Sequence, residues 1–189
     1  MTGRFRVASS PALATIDPRD PRTIVILPSA AFGDGRHETT QMCLQALSAF
    51  APVGPFRMLD VGSGSGILSI AAAKLGGDAI GVEIDAAANA VAVENAVRNA
   101  VEGRVTFDVT WPSGRFDVVV ANILRPVLLD LAAQLAERLE PTGMLVLSGL
   151  VSTDVPEVVA RYVPMLGGKR PEIFERGPWR TLVWRRLRA

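Results

Sequence analysis

One cysteine and one histidine are all that this 189-residue chain holds, and these two scarcities remove several kinds of chemistry. Cys43 alone cannot form an internal disulfide, so the chain needs no oxidising compartment and the cytoplasm is the expected location. It falls on a helical apolar pattern with Leu44 and Leu47, where a buried, inert thiol is expected. With His37 the sole histidine, no Ser-His-Asp arrangement can be argued, and no Cys/His or carboxylate cluster has metal-ligand spacing. Aromatic residues are few, at 6%. Tyr162, Trp111, Trp179 and Trp184 read as packing residues, with only Trp111 near a ligand-facing loop. No apolar run approaches the roughly 20 residues that span a bilayer. The first twenty residues, interrupted by Arg4, Arg6, Pro11, Asp17 and Asp20, lack a signal-type apolar segment. Strong charge of one sign is missing too. The formal net charge of +1 gives no overall pull toward nucleic acid or membrane. Charge is nevertheless uneven, because eight of the 20 basic residues lie from Arg161 onward, against two glutamates. That stretch reads as an edge strand whose charges oppose aggregation; contact with an acidic partner or RNA is the other reading.

What is present is apolar and alternating. Hydrophobic residues make up 49% of the chain, enough for one domain with a sizeable core. Residues 1–30 are rich in Pro, Ser and Thr, hold one strand-like run from Thr23 to Leu27, and read as a leader or linker to a domain spanning 31–189. A helical pattern from Glu38 to Phe50 stops at Pro52, Gly54 and Pro55. Strand-like runs then alternate with helical ones. The strands are Phe56–Val61, Ala79–Glu83, Arg104–Val109, Phe116–Ala121 and Met144–Gly149. The helices are Ile67–Leu75, Ala86–Ala100, one from Pro126 to about Glu140 that Pro141-Thr142-Gly143 breaks before the fifth strand, and one from Asp154 to Met165. The runs Glu172–Phe174 and Arg180–Arg185 flank Gly177-Pro178 closely enough to pair antiparallel. Such alternation predicts a doubly wound α/β fold: a mostly parallel seven-stranded sheet, helices on both faces, and a final antiparallel strand pair. The nearly all-apolar fourth run belongs at its centre. Ligands of such sheets bind beyond the carboxyl ends of the strands, near the point where strand order reverses.

Two features mark that edge. Gly62, Gly64 and Gly66 stand at alternate positions after the first alternating strand, letting backbone approach a ligand closely and present its N–H groups beside a helix N-terminus. The nicotinamide fingerprint needs its third glycine at position 67, which is Ile67, and the following helix carries no phosphate-loop Lys-Ser/Thr pair. Glu83, ending the second strand, is placed to accept both ribose hydroxyls of a nucleoside, with Ile84 against an adenine face; capping the strand is the plainer alternative. Asp85 can cap the next helix. Asp60 lies under the loop, to position it or to meet an amino group. Asp108 ends the third strand and is either an acceptor for an adenine amine or a solvated loop acid. Glycine loop, strand-end acid and closing antiparallel pair together resemble the class I methyltransferases, which use S-adenosylmethionine.

Three blocks resemble one family within that class. Phe32-Gly33-Asp34-Gly35-Arg36-His37-Glu38-Thr39-Thr40 is similar to the FGTGxHxTT signature of the PrmA family, whose members methylate amino groups of a large-subunit ribosomal protein. Asp60–Leu68 (DVGSGSGIL) and Ala121–Leu124 (ANIL) match the same family in the same order, and the similarity covers roughly residues 29 to 186. The resemblance implies cofactor contacts from Thr40, Gly62, Glu83 and Asn122, and a loop containing Phe32 and His37 that folds over the cofactor. Glu83 stands where the family usually has Asp, and Asp34 where it has Thr. The family also carries a separate N-terminal domain that grips the ribosomal protein. Residues 1–30 are too few to contain it, so the chain is either a part of such an enzyme or a relative with another substrate, and acceptor specificity is expected to come from another surface or a partner.

The chemistry follows from a cofactor whose methyl is already activated. The protein's work is to hold a nucleophile in line with it. An amine must arrive neutral, and Asn122, ending the fourth strand, can accept a hydrogen bond from it and orient it. Ile123-Leu124-Arg125 follow without an aromatic that would stack a nucleobase, which favours an aliphatic amine. Three functions remain in view: a methyltransferase acting on a protein amino group, one acting on a small molecule, and a module that binds the cofactor without catalysis. The first is preferred. Its partner is a protein, with neither a membrane nor a nucleic acid required.

Overall fold

The computed structural model describes residues 5–8, 17–29 and 31–185. The rest of the 1–30 stretch, and residues 186–189 of the basic end, lie outside the described residues. In chain order the elements are β1 (Arg6–Ala8), β2 (Thr23–Val25), α1 (Glu38–Phe50), β3 (Arg57–Val61), α2 (Ile67–Lys74), β4 (Asp78–Val82), α3 (Ala86–Arg98), β5 (Val105–Asp108) and β6 (Phe116–Asn122). They continue with α4 (Arg125–Asp130), α5 (Ala132–Glu137), β7 (Leu139–Val151), α6 (Val155–Tyr162), a short 3-10 turn at Pro164–Leu166, β8 (Glu172–Arg176) and β9 (Trp179–Arg185). Seven strands form one sheet in the order β5-β4-β3-β6-β7-β9-β8. Strands β3 to β7 are parallel, and β9 pairs antiparallel with both β7 and β8. Strand order reverses between β3 and β6, which places a cleft at their carboxyl ends.

The central strand explains the two layers. Val118, Val119, Val120 and Ala121 of β6 are all fully buried, because successive side chains feed opposite faces. Val118 and Val120 join a core with α1 and α2, whereas Val119 and Ala121 join a second core with α4, α5 and α6. At the outer end of β6, Asp117 accepts the Arg57 backbone N–H at 2.9 Å and ties β6 to β3.

Helix ends follow local chemistry. Asp85 accepts the Ala87 N–H and caps α3, and α2 opens on Gly66 in the left-handed region, a conformation glycine alone adopts freely. Two expectations need correction. The helix from Pro126 to Glu140 is two short helices broken at Leu131. Leu139 and Glu140 already belong to β7, with Leu139 paired to Phe116. Leu128, Ala132, Leu135 and Leu139 keep a helical spacing and are all buried, so periodicity runs on past the true helix end. Pro141-Thr142-Gly143 does not separate helix from strand. It forms the irregularity inside β7, where pairing jumps from Leu139 opposite Phe116 to Met144 opposite Val118.

Residues 5–8 and 17–29, expected as leader, are built into the domain. β1 and β2 pair in parallel, and Phe5, Ile24 and Ile26 enter the core shared with α1 and α2. Lys74 donates to the carbonyls of Pro18 and Asp20. Among the described residues, no helix is long and apolar enough to cross a membrane.

Candidate active site at the carboxyl edge of the sheet

Gly62 to Gly66 connect β3 to α2, and all five N–H groups have acceptors within the protein. Gly62 and Ser63 donate to the Val82 carbonyl, at 2.8 and 3.3 Å, and Ser65 and Gly66 to the carbonyls of Phe32 and Ser63. Gly64 donates to Glu83 Oε2 at 3.1 Å. The loop was expected to present N–H groups to a ligand; the structure instead gives each a protein acceptor. Asp60 ties the end of β3 to α2, for its Oδ2 accepts from both the N–H and the hydroxyl of Ser69 in the first turn of that helix. A phosphate, which needs free N–H donors at such a turn, finds none between Gly62 and Gly66. The glycines are also demanded by close neighbours. A Cβ on Gly62 would come within 2.3 Å of the Ile123 side chain, and one on Gly64 within 2.6 Å of the Phe32 carbonyl.

Glu83 sits immediately after β4 with its carboxylate over this loop, Oε1 accepting from the Asp85 N–H at 3.1 Å. Ile84 beside it is 90% exposed, a large apolar side chain at the carboxyl edge of the sheet. Asp108 ends β5 as expected and its backbone carbonyl accepts from the Glu83 N–H. Its own side chain is fully exposed and accepts the Thr110 N–H at 2.9 Å. The Thr110 N–H and hydroxyl hold it below the usual carboxylate range. Asp60 behaves oppositely. Burial pushes its carboxyl up to about 7, opposed by the Ser69 hydrogen bonds and reinforced by the charge of Glu83. Its second oxygen is buried without a partner.

Across the cleft, Asn122 ends β6. Its Nδ2 lies 3.5 Å from the Thr40 hydroxyl, and its Oδ1 is buried with no hydrogen-bond partner. Thr40 reaches it from the first turn of α1. Beside it, the Thr39 carbonyl lies 3.4 Å from the Ser148 hydroxyl, which bonds Thr181 at 2.6 Å. Thus the third block of the sequence, Ala121–Leu124, meets the first, Phe32–Thr40.

The 32–40 segment lies on the glycine loop: the Ser65 N–H donates to the Phe32 carbonyl, and the Ser65 hydroxyl to that of Gly33 at 2.7 Å. His37 is the N-cap of α1, its Nδ1 2.7 Å from the Thr39 hydroxyl. Its ring packs edge-on between Phe32 and Trp179. Trp179 is therefore the tryptophan that joins this segment, whereas Trp111 packs against the core of the α4–α6 face. The sequence carried no sign of it beyond position, since Trp179 opens β9 at the far end of the chain. An open cavity of about 520 Å³ borders the segment, lined by Phe32, Asp34, His37 and Glu38 among others. Asp34, in place of the family's Thr, pairs with Arg36 in an exposed turn. Cys43 lies on the buried face of α1, its thiol pushed up to about 12 by burial.

This strand order, with a glycine turn after β3, an acid after β4 and an antiparallel pair at the far edge, defines the class I methyltransferase architecture. A family model described as ribosomal protein L11 methyltransferase (PrmA) matches residues 6–187, and the chain belongs to that family. The ribosomal protein L11 methyltransferase of Bordetella parapertussis is 47% identical over 157 residues, covering 82% of this chain and 51% of the relative. That of Geotalea daltonii is 46% identical over 166 residues, covering 80% and 52%. The chain thus spans about half the length of the curated relatives it matches. The crystal structure of a ribosomal protein L11 methylase from Lactobacillus delbrueckii subsp. bulgaricus superposes with a TM-score of 0.81 at 31% identity, covering 96% of this chain and 95% of that one.

Proposed function

We propose that this chain is an S-adenosylmethionine-dependent methyltransferase that transfers methyl groups to amino groups of ribosomal protein L11, and that it works in the cytoplasm. The observation that carries the reading is the convergence at the β3–β6 reversal. A carboxylate over a glycine turn without free N–H donors shares the carboxyl edge of the sheet with an asparagine whose buried carbonyl oxygen has no partner.

The residues fit the cofactor's chemistry. Glu83 would accept the ribose hydroxyls, Ile84 and the exposed Phe32 would cover apolar ring surface, and Asp108 stands next to Glu83 for a polar edge of the base. Gly62, Gly64 and Gly66 keep the floor low, Asp60 holds that floor to α2, and Thr40 lies beside Asn122 at the methionine end. A ligand anchored by ribose hydroxyls and lacking phosphates suits a loop whose N–H groups are taken. When bound, the cofactor supplies a methyl on a cationic sulfur, which needs no further activation.

Asn122 does the protein's chemical work. Its Oδ1 would accept a hydrogen bond from the incoming amine and fix the nitrogen in line with the methyl. Loss of water around the amine disfavours the charged ammonium, so the nitrogen gives its extra proton to solvent and arrives neutral. The test is incubation of the purified chain with methyl-labelled cofactor and free ribosomal protein L11, read by intact mass and peptide mapping. Single-methyl increments on amino groups are expected. Tight cofactor binding with no label on L11 would overturn the acceptor.

A further inference from the structure

Two fully buried asparagines lie one turn apart at the end of α3, Asn95 within the helix and Asn99 as its C-cap. Asn99 acts as a strand partner, since its amide accepts the Val25 N–H at 2.9 Å and donates to the Val25 carbonyl at 2.7 Å. Asn95 is different, because its two ends grip different parts of the molecule. Its Oδ1 accepts the Leu27 N–H at 2.9 Å, and its Nδ2 donates to the Ser65 carbonyl in the glycine loop at 2.9 Å. Ser65 in turn holds the carbonyls of Phe32 and Gly33 through its N–H and hydroxyl. The chain between Leu27 and Phe32 is thereby fastened to one residue of the loop at both ends, at one end directly and at the other through a single side-chain amide.

We infer that Asn95 is a positioning residue of the cofactor site, holding Leu27 in register with the glycine loop onto which Phe32 and Gly33 are bonded. A buried amide that meets one donor and one acceptor in this orientation has few substitutes. Alanine leaves both partners unsatisfied, and aspartate keeps the acceptor for Leu27 but sets an oxygen against the Ser65 carbonyl. Asn99 secures the same incoming strand without touching the loop. The pair therefore separates strand anchoring from loop positioning. The contacts also work in reverse, because a ligand that orders the glycine loop must by linkage tighten the Leu27 end.

This inference rests on the proposed cofactor site, and the experiment keeps the two apart. Titrate S-adenosylhomocysteine into the wild-type chain and into Asn95→Ala, Asn95→Asp and Asn99→Ala by calorimetry. Record the ligand-free melting temperature of each, and follow amide exchange at residues 26–33 in wild type with and without ligand. Both alanine variants should lose comparable thermal stability, yet only the Asn95 variants should bind more weakly, by roughly tenfold. Wild type should gain ligand-dependent protection at Leu27. Should Asn95→Ala fail to fold, Asn95→Asp and the wild-type exchange decide the question. No binding by wild type would overturn the cofactor reading. Binding by wild type with equal affinities across variants matched in stability, or no protection at Leu27, would overturn the role of Asn95 alone.

Discussion

Replacing Glu83 by alanine tests the site at its most exposed assumption. This carboxylate accepts two backbone N–H groups, from Gly64 and Asp85, each at 3.1 Å. Both donors are at most partly buried, so water can replace the acceptor when the side chain is removed, and folding should lose only about 1 kcal/mol. Ligand binding should lose more. Hydrogen bonds from ribose hydroxyls to a charged acceptor are worth roughly 1.5–3 kcal/mol, which corresponds to about a 10- to 150-fold rise in Kd. Calorimetry with S-adenosylhomocysteine, beside urea unfolding of the same preparation, separates the two effects. A folded Glu83→Ala protein with unchanged affinity would refute the ribose assignment. Equal affinity of the wild type for a nicotinamide dinucleotide would refute the class of ligand, since the loop between Gly62 and Gly66 has no N–H left for a pyrophosphate.

Asn122→Ala should lower kcat and kcat/KM together while leaving cofactor Kd within about threefold, the pattern of an interaction made mainly in the transition state; a loss confined to cofactor binding would reduce Asn122 to a cofactor contact. Asp60 sets a pH dependence. Its folded pKa of about 7 lies above the unfolded value near 3.9, so the folded chain binds more protons in between, and stability falls as pH rises through that window. Asp60→Asn, which imitates the protonated acid, should remove a slope totalling a few kcal/mol, on the order of 1.4 per unit of pKa shift; parallel stability–pH curves for the two proteins would contradict the buried-acid account. In Gly66→Ala a Cβ would stand 2.7 Å from the Phe107 ring and 3.0 Å from Ala92 at φ 79°. Left-handed strain of about 1–2 kcal/mol and overpacking of about 1–3 kcal/mol should together lower the urea midpoint, and an unchanged midpoint would mean the turn has room to spare.

Local pattern carried the architecture where it was self-sufficient. α1 runs from Glu38 to Phe50 as its apolar spacing and the following Pro52 require, and the alternation from Arg57 to Asn122 needs only period and punctuation to be read. Helix α4–α5 is less legible because Leu135 and Leu139 continue the helical rhythm, while the pairing of Leu139 with Phe116 is a long-range fact. The site was legible in its ends: Glu83, Asn122 and Thr40 stand where strand and helix termini put them. Its supports were not. Ser65, Asn95 and Trp179 act through contacts spanning from 30 residues, between Ser65 and Asn95, to the width of the chain between His37 and Trp179. Periodicity reports which face of an element is apolar and says nothing about which distant carbonyl a buried amide will meet.

The valines of β6 raise a problem of alignment. On a strand buried on both faces, a slip by one residue exchanges one apolar side chain for another, so hydrophobicity alone does not fix how β6 lies against β3 and β7. The polar residues at its two ends must do so. Asp117 captures the Arg57 N–H at one end, and Asn122 meets Thr40 at the other. A slipped strand would carry Asp117 into the core or leave Asn122 short of the cleft, each with buried polar groups unpaired. The residue proposed to orient the amine is then also a ruler for the sheet, and selection on catalysis and selection on correct pairing act on the same side chain.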